Sequence, residues 1–470
     1  MKRFLCLSLV LGGAVLLGWF FLQAFERAFE EVPAHSDGAV THEQGQGAGV
    51  VSGNGDVNGD NSIDLSDAIY LLSFLFQGGD PLEPCPGSPG CEADLATCQA
   101  NLLACLGAAP EDLPDTGQTL CHDDTGTDQN PCAAGGATCG GQDGFYATGC
   151  ASAGRFDDSA NDGTVTDNCT GLMWEKPTGV AREWCDALVY CEATLDGLAG
   201  HNDWRLPNIH ELQSIIDYGR QSPDPTIDPV FGALPQSYWS STTSAANTSL
   251  ARDVNFLDGT SGSGCKTCIG AVKGMELVLA VRGVSGLPET GQTTCYDDDG
   301  PNGAAPTDCA TGLCFGQDGF YATGCLNGCF VDNTDGTVTD TCTGLMWQKD
   351  TGNVNADQNI TNEDFPAGDR ATWCAALAYC EGLSLGGLND WRLPNIRELH
   401  SIADFTRNNP TIDPVFGVPL LPVVPPPLSY WSSTSHPNAL GEAQDFNFTN
   451  GHISKGVKTG FNLVRAVRGP

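Results

Sequence analysis

Positive charge is what this chain has least of. Against 58 Asp and Glu stand 21 Lys and Arg, a formal net charge of −37 over 470 residues. Such a surface repels nucleic acid, anionic lipid and sulfated polysaccharide, so no nucleic-acid partner is expected. It tolerates divalent cations, and it keeps an extracellular protein soluble. Long apolar runs are also scarce beyond the N-terminus. With 59 Gly and 28 Pro, the chain favours short strands and turns over a large helical core. Its length exceeds one core and suits two or three domains.

Zinc-cluster spacing is missing as well. The C-x2-C pair Cys265 and Cys268 has no second pair and no His-x3-His nearby, so a local disulfide suits it better. Catalytic spacing is equally thin. His201, His210, His400, His436 and His452 are scattered, suggest no Ser-His-Asp set, and read as exposed surface histidines. No catalytic residue is assigned, and the chain is expected to be non-enzymatic. What is abundant is cysteine: 22 of them argue for an oxidising compartment.

Lys2 and Arg3 precede an uncharged apolar run from Phe4 to Leu22, so residues 1–25 read as a signal peptide or a signal-anchor helix. Trp19, Phe20 and Phe21 sit where an interfacial aromatic belt would lie. The expectation is N-terminal membrane insertion, with the remainder exported to the cell surface or secreted. Residues 26–55 read as a flexible linker.

The run DVNGDNSIDLSD places Asp56, Asn58, Asp60, Ser62, Asp64 and Asp67 at loop positions 1, 3, 5, 7, 9 and 12. Calcium takes about six to eight oxygens, and this spacing wraps them around one centre. Ile63 supplies the inward apolar residue, and Ala68 to Gln77 reads as a helix closed by Gly78 and Gly79. Calcium is therefore the expected cofactor. Residues 56–80 resemble one dockerin repeat, in which Ser62 would contribute its backbone carbonyl. Dockerins carry two such repeats, so calcium binding carries over and cohesin binding does not.

In residues 85–110, Cys91, Cys98 and Cys105 recur every seven residues, with Leu95 and Leu102 between them. One reading is a short coiled-coil stalk joining a homo-oligomer through residues 91–105 by interchain disulfides. The other is intrachain pairing with Cys85 in a small knot.

Residues 113–285 return as 287–470. LPDTGQT answers LPETGQT, and GQDGFYATGC, DGTVTD, CTGLMW, NDWRLPNxxEL, PTIDPVFG, YWSST and AVRG each occur twice in order. LPDTG and LPETG look like sortase signals but lack a following apolar stretch and basic tail, so they read as lead-ins. DGTVTD predicts a turn feeding a strand. The segment from Trp184 to Cys191 has helical spacing. Asn208 with Glu211, and Asn395 with Glu398, predict capping boxes before helices of two to three turns. Each module is expected to be α+β, with two helices and a small antiparallel sheet. Cys185 and Cys191 would face apart on one helix. Cys191 with Cys169, and Cys380 with Cys342, is the expected bridge of each module.

TGLMW, ALxYC, DWRLPNxxEL, YWSST and VRAVRG resemble the signature of the DUF1566 family, the Lcl C-terminal domain named after a Legionella collagen-like adhesin. The ALxYC, RLPN and closing VRG pieces also resemble the formylglycine-generating-enzyme family, which implies a C-type-lectin-like, disulfide-rich module in tandem. The adhesin's domain takes sulfated glycosaminoglycans through positive charge, which this acidic chain cannot reproduce. The resemblance implies a cell-surface binding protein with a glycan or protein ligand. An enzyme with changed chemistry on that fold, or a purely structural envelope protein, are the alternatives. No ligand-binding residue is assigned. Asp203, Trp204 and Arg205, with Asp390, Trp391 and Arg392, read either as a sugar-stacking Trp beside polar anchors or as a buried Trp with an Arg–Asp pair. The same alternatives hold for Trp239 and Trp431. Asp158, Asp162 and Asp167, with Asp332, Asp335 and Asp340, suit a second calcium or a hairpin turn equally.

Overall fold

An aspartate turn opens the sheet of each copy. Asp162 accepts the Thr164 N–H at 3.1 Å and its hydroxyl at 2.6 Å, around Gly163 at φ 89°. Asp335, Gly336 and Thr337 repeat the turn. The computed structural model describes residues 113–129, 132, 139–267, 274–297, 306–312, 314–321, 330–354, 370–418 and 428–469. The N-terminal segment, linker, calcium loop and stalk all lie outside the described residues.

After the turn, Thr164–Asp167 pairs antiparallel with Met173–Glu175, setting Val165 opposite Trp174. The closing strand Val281–Arg282 returns to pair beside Trp174 and completes a four-stranded sheet with Phe156–Asp157 at its other edge. Copy two repeats this with Phe330–Asp332, Thr337–Asp340, Met346–Gln348 and Val467–Arg468. A second, three-stranded sheet forms from Ser237–Thr243, Leu250–Asn255 and Ser261–Cys265, and again from Ser429–Ser435, Glu442–Asn447 and His452–Val457. Among the described residues each copy thus holds these two sheets and a two-stranded one in its lead-in, Cys121–His122 with Asp128–Gln129 or Cys295–Tyr296 with Pro306–Thr307, rather than the one expected.

The predicted helices are present. Trp184–Val189 runs into a π-helical turn at Tyr190–Thr194, and Trp373–Glu381 is its counterpart. Trp184 and Trp373 are fully buried and donate to the Ser240 and Ser432 carbonyls at 2.7 Å, pinning each helix to the three-stranded sheet. The capping boxes at Asn208 and Asn395 form in full. Their helices, Ile209–Ser214 and Ile396–Ser401, are only six residues long, shorter than expected. The chain leaves the first one because the Asp217 and Tyr218 N–H groups are taken by the Thr226 and Thr116 carbonyls.

The lead-ins do not pack as the order of the repeat suggests. Residues 109–470 form one unit in which the body after Arg155 and the body after Phe330 exchange their lead-ins. Lead-in 113–150 reaches the second body while Thr116 and Cys150 keep it tied to Tyr218 and Cys169 of the first, and lead-in 287–321 reaches the first body while Thr290 stays on Phe405 of the second. Cys139 belongs to the core cluster of Trp373, Trp391 and Trp431, whereas Cys314 belongs to that of Trp184, Trp204 and Trp239. A third cluster crosses between the bodies and joins Ile209 and Leu212 with Ile396, Leu399 and Phe405.

The disulfides follow this exchange and correct the expected pairing. Cys139 bonds Cys374 and Cys185 bonds Cys314, across 235 and 129 residues. Cys150 bonds Cys169, Cys121 bonds Cys132 and Cys295 bonds Cys309. Cys191 and Cys380 are free and buried. The physical reason is position: Cys185 and Cys374 sit in the first helical turn, where the lead-in arrives, and Cys191 and Cys380 face the body's own core. Cys265 is disulfide-bonded; Cys268, its expected partner, lies outside the described residues.

Candidate functional site

The repeated tryptophans are fold-setting. Trp204 and Trp391 are each 1% exposed and donate to the Leu198 and Leu385 carbonyls. Trp239 and Trp431 are buried and donate to the Arg182 and Ala371 carbonyls. The arginine that follows Trp204 has a different partner from the one read in sequence. Arg205 holds Glu211 through two hydrogen bonds of 2.7 Å, tying the DWR loop to the capping box, and Arg392 does the same with Glu398. Asp203 and Asp390 instead hold Arg282 and Arg468 of the closing strand at the surface.

The aspartates weighed for a second calcium do not converge. Asp158 and Asp332 hold Lys176 and Lys349. Asp162 and Asp335 make the turns. Asp167 is buried against Arg155, and Asp340 is buried beneath the Thr343 hydroxyl. Among the described residues no group of His, Cys, Asp and Glu is placed to hold a metal ion, and no helix is long and apolar enough to cross a membrane.

The histidines correct the expectation of an exposed surface. His210, His400 and His436 are buried at the seam between the bodies. His210 and His400 meet through their Nδ1 atoms at 2.9 Å, one donating and one accepting. Burial brings His210 down to about 3 and His400 well below its ordinary value, so both are neutral. His452 Nε2 meets the Ser263 hydroxyl at 3.1 Å across the same seam. Arg252 crosses it to the Asn450 and Gly451 carbonyls, and Gln444 crosses back to the Asp258 carbonyl. A signal was present in sequence: within identical motifs, His210 stands opposite Arg397 and Gln213 opposite His400 in the alignment of the copies. The copies differ where they touch.

The best-built polar site is the one that receives the lead-in. Asp143, 2% exposed, accepts hydroxyls from Thr116 of its own lead-in at 2.8 Å and from Thr434 of the opposite body at 2.6 Å. Asp318 does the same with Thr290 and Thr242. Burial pushes these carboxyls up to about 6 and about 7, against the pull of the threonines. Gln118 accepts the Ser435 N–H at 3.0 Å and donates to the Ser435 carbonyl at 2.6 Å. Tyr146 donates to Glu381, and Tyr321 to Glu192. Lys458 is wholly buried, 3.9 Å from the Trp373 ring, and donates to the His122 and Asp123 carbonyls and to Ser435 Oγ. Burial brings its ammonium down to about 7, opposed by Asp123 and Asp124. Lys266 sits alike, 4.0 Å from Trp184, and donates to the Tyr296 carbonyl. Sequence reasoning missed both lysines; their recurrence as Lys-Thr ahead of the closing strand was the available signal.

Phe145 and Phe320 are 39% and 50% exposed, each edge-on to the next tyrosine. Tyr146 lies over Arg392 and Tyr321 over Arg205. Two residues before each arginine stand the exposed pairs Asp390–Arg468 and Asp203–Arg282. Each such surface combines a lead-in from one copy with the body of the other.

The fold and site define an α+β, disulfide-laced protein of two interlocked copies, a build suited to an oxidising compartment. The chain belongs to the Lcl C-terminal domain family, whose model matches residues 163–274 and 336–468, one stretch in each copy. This is a bacterial surface-associated family, which suggests an adhesin-like role. No curated protein and no solved structure matches the chain.

Proposed function

We propose that this is an exported, non-enzymatic binding protein of the cell surface, with two lectin-like modules that present one ligand surface twice. The observation that carries this reading is that an exposed lead-in phenylalanine, Phe145 or Phe320, and an exposed ion pair on the receiving body, Asp390–Arg468 or Asp203–Arg282, occur in both copies. Two linked sites favour avidity for a repetitive or multivalent ligand, a glycan or a protein. An exposed aromatic offers a stacking face, and a carboxylate–guanidinium pair offers paired hydrogen-bonding groups. The net charge of −37 argues for a neutral or basic ligand. The perturbed carboxyls Asp143 and Asp318 support binding over catalysis, because the lead-in threonines occupy them.

Residues 56–67 are proposed to bind calcium through Asp56, Asn58, Asp60, Ser62, Asp64 and Asp67, ordering the neck beneath these modules. Residues 1–25 are proposed to anchor the chain or direct its export. A screen of the full chain on glycan arrays and host-matrix proteins, with calcium and with chelator, tests the reading. Binding should fall at least tenfold in a Phe145→Ala/Phe320→Ala double variant and less in either single variant. Binding unchanged in the double variant would move the ligand elsewhere; no binding in any condition would leave the structural-envelope reading standing.

A further inference from the structure

We propose that each body is a receptor for the lead-in of another copy, so the partner it fits is a second copy of the same module, in this chain or in another. The docking contacts occur twice with matching chemistry. Asp143, Gln118 and Tyr146 of the first lead-in meet Thr434, Ser435 and Glu381. Asp318, Gln292 and Tyr321 of the second meet Thr242, Thr243 and Glu192. Each docking is closed by a cysteine of the receiving helix, Cys374 or Cys185. The lead-in residues are of the same type in both copies, so either lead-in satisfies either body.

The receptor is incomplete when empty. Lys458 and Lys266 are buried over tryptophan rings, and the lead-in backbone supplies the His122, Asp123 and Tyr296 carbonyls that accept from them. Without the lead-in those carbonyls are lost and each ammonium keeps its body hydroxyl, Ser435 Oγ for Lys458 and Thr243 Oγ1 for Lys266. The lead-in is likewise incomplete alone: Asp143 and Asp318 are buried carboxyls whose second hydroxyl comes from the opposite body. None of this depends on the connector between the copies, where Val284 is 71% exposed. The docked lead-in segments also lie outside both stretches matched by the family model. The arrangement is that of a segment-exchanged dimer whose two subunits happen to be joined end to end.

The test uses the full chain with a protease site inserted after Val284, cleaved in the folded state. Each half then carries its own lead-in docked on the other half. Without reductant the halves should run as one band, joined through Cys139–Cys374 and Cys185–Cys314. With reductant, under native conditions, they should still elute together as a one-to-one complex. Refolding a mixture of tagged and untagged cleaved protein should let tagged N-terminal halves capture untagged C-terminal halves. Two bands without reductant, or separate elution or precipitation of the reduced halves, overturns the proposal. Failure to capture in the mixture overturns its extension to other chains.

Discussion

At the scale of single residues, the buried carboxyls and ammonium make stability depend on pH in opposite directions. Asp143 is raised to about 6, so between about pH 4 and 6 the folded state holds a proton that the unfolded state has released. Its contribution therefore falls as pH rises through that window. An Asp143→Asn variant lacks this slope, and the unfolding free energy of wild type relative to it should decline from pH 4 to 6 and then level. Lys458 is lowered to about 7, so between about pH 7 and 10 the unfolded state holds the extra proton. Stability should rise with pH there, and Lys458→Met should flatten the rise. Denaturant titrations across pH check both, and a slope unchanged in either variant would count against the assignment.

Among the elements, the capped helix and the loop before it act as one unit. Glu211 caps its own helix by accepting the Asn208 N–H and also receives both arms of Arg205. Both partners are nearly fully buried, with side-chain exposures of 4% and 1%. Breaking such a pair on one side leaves an unpaired buried charge, at a cost of roughly 3–5 kcal/mol. Glu211→Gln should therefore destabilise far more than Asn208→Ala, whose lost cap costs about 1 kcal/mol. Urea unfolding of the two variants decides it; equal losses would mean that the ion pair adds nothing beyond the cap. The glycine of each lead-in works at the same scale. Gly117 has φ 83°, and a Cβ there would run into the Asp217 carboxylate. The Thr–Gly step that looks like a sortase site is thus half-buried and packed tightly against Asp217.

For the molecule as a whole, the interlock sets the order in which cysteines become accessible. Peptide mapping without reductant should join the Cys139 peptide to that of Cys374 and the Cys185 peptide to that of Cys314. Cys191 and Cys380 are buried thiols, and burial raises both well above the ordinary range. They should resist alkylation in the folded state and react once denatured. Mass spectrometry of the labelled protein tests this, and rapid labelling of either thiol in native buffer would contradict it. Loss of both cross-copy bridges in a Cys139→Ser/Cys185→Ser variant should lower the melting temperature, because each closes a long loop in the unfolded chain. The unlike residues at the seam, His210 against His400 and Arg252 against the Asn450 loop, have made the two faces complementary rather than identical.

Much of each copy was legible in its sequence. Turn aspartates, glycine at positive φ, reciprocal capping boxes and the helical spacing from Trp184 act over a few residues, and local chemistry decides them. The strand character of YWSST and the closing VRG was readable for the same reason. Long-range choices were not. Whether Arg205 pairs with Asp203 or Glu211 depends on which carboxylate the fold carries into reach, and both lie within six residues. Lead-in exchange was invisible because the repeat makes both bodies equally acceptable hosts, so no local preference distinguishes own from other. The cysteine pairing and the burial of the seam histidines followed from that exchange. Sequence alone determined that this chain is an acidic, cysteine-rich protein with one α+β module written twice. Only the tertiary structure decided that the two modules complete one another, because the buried carboxyls and lysines find their partners in the opposite copy.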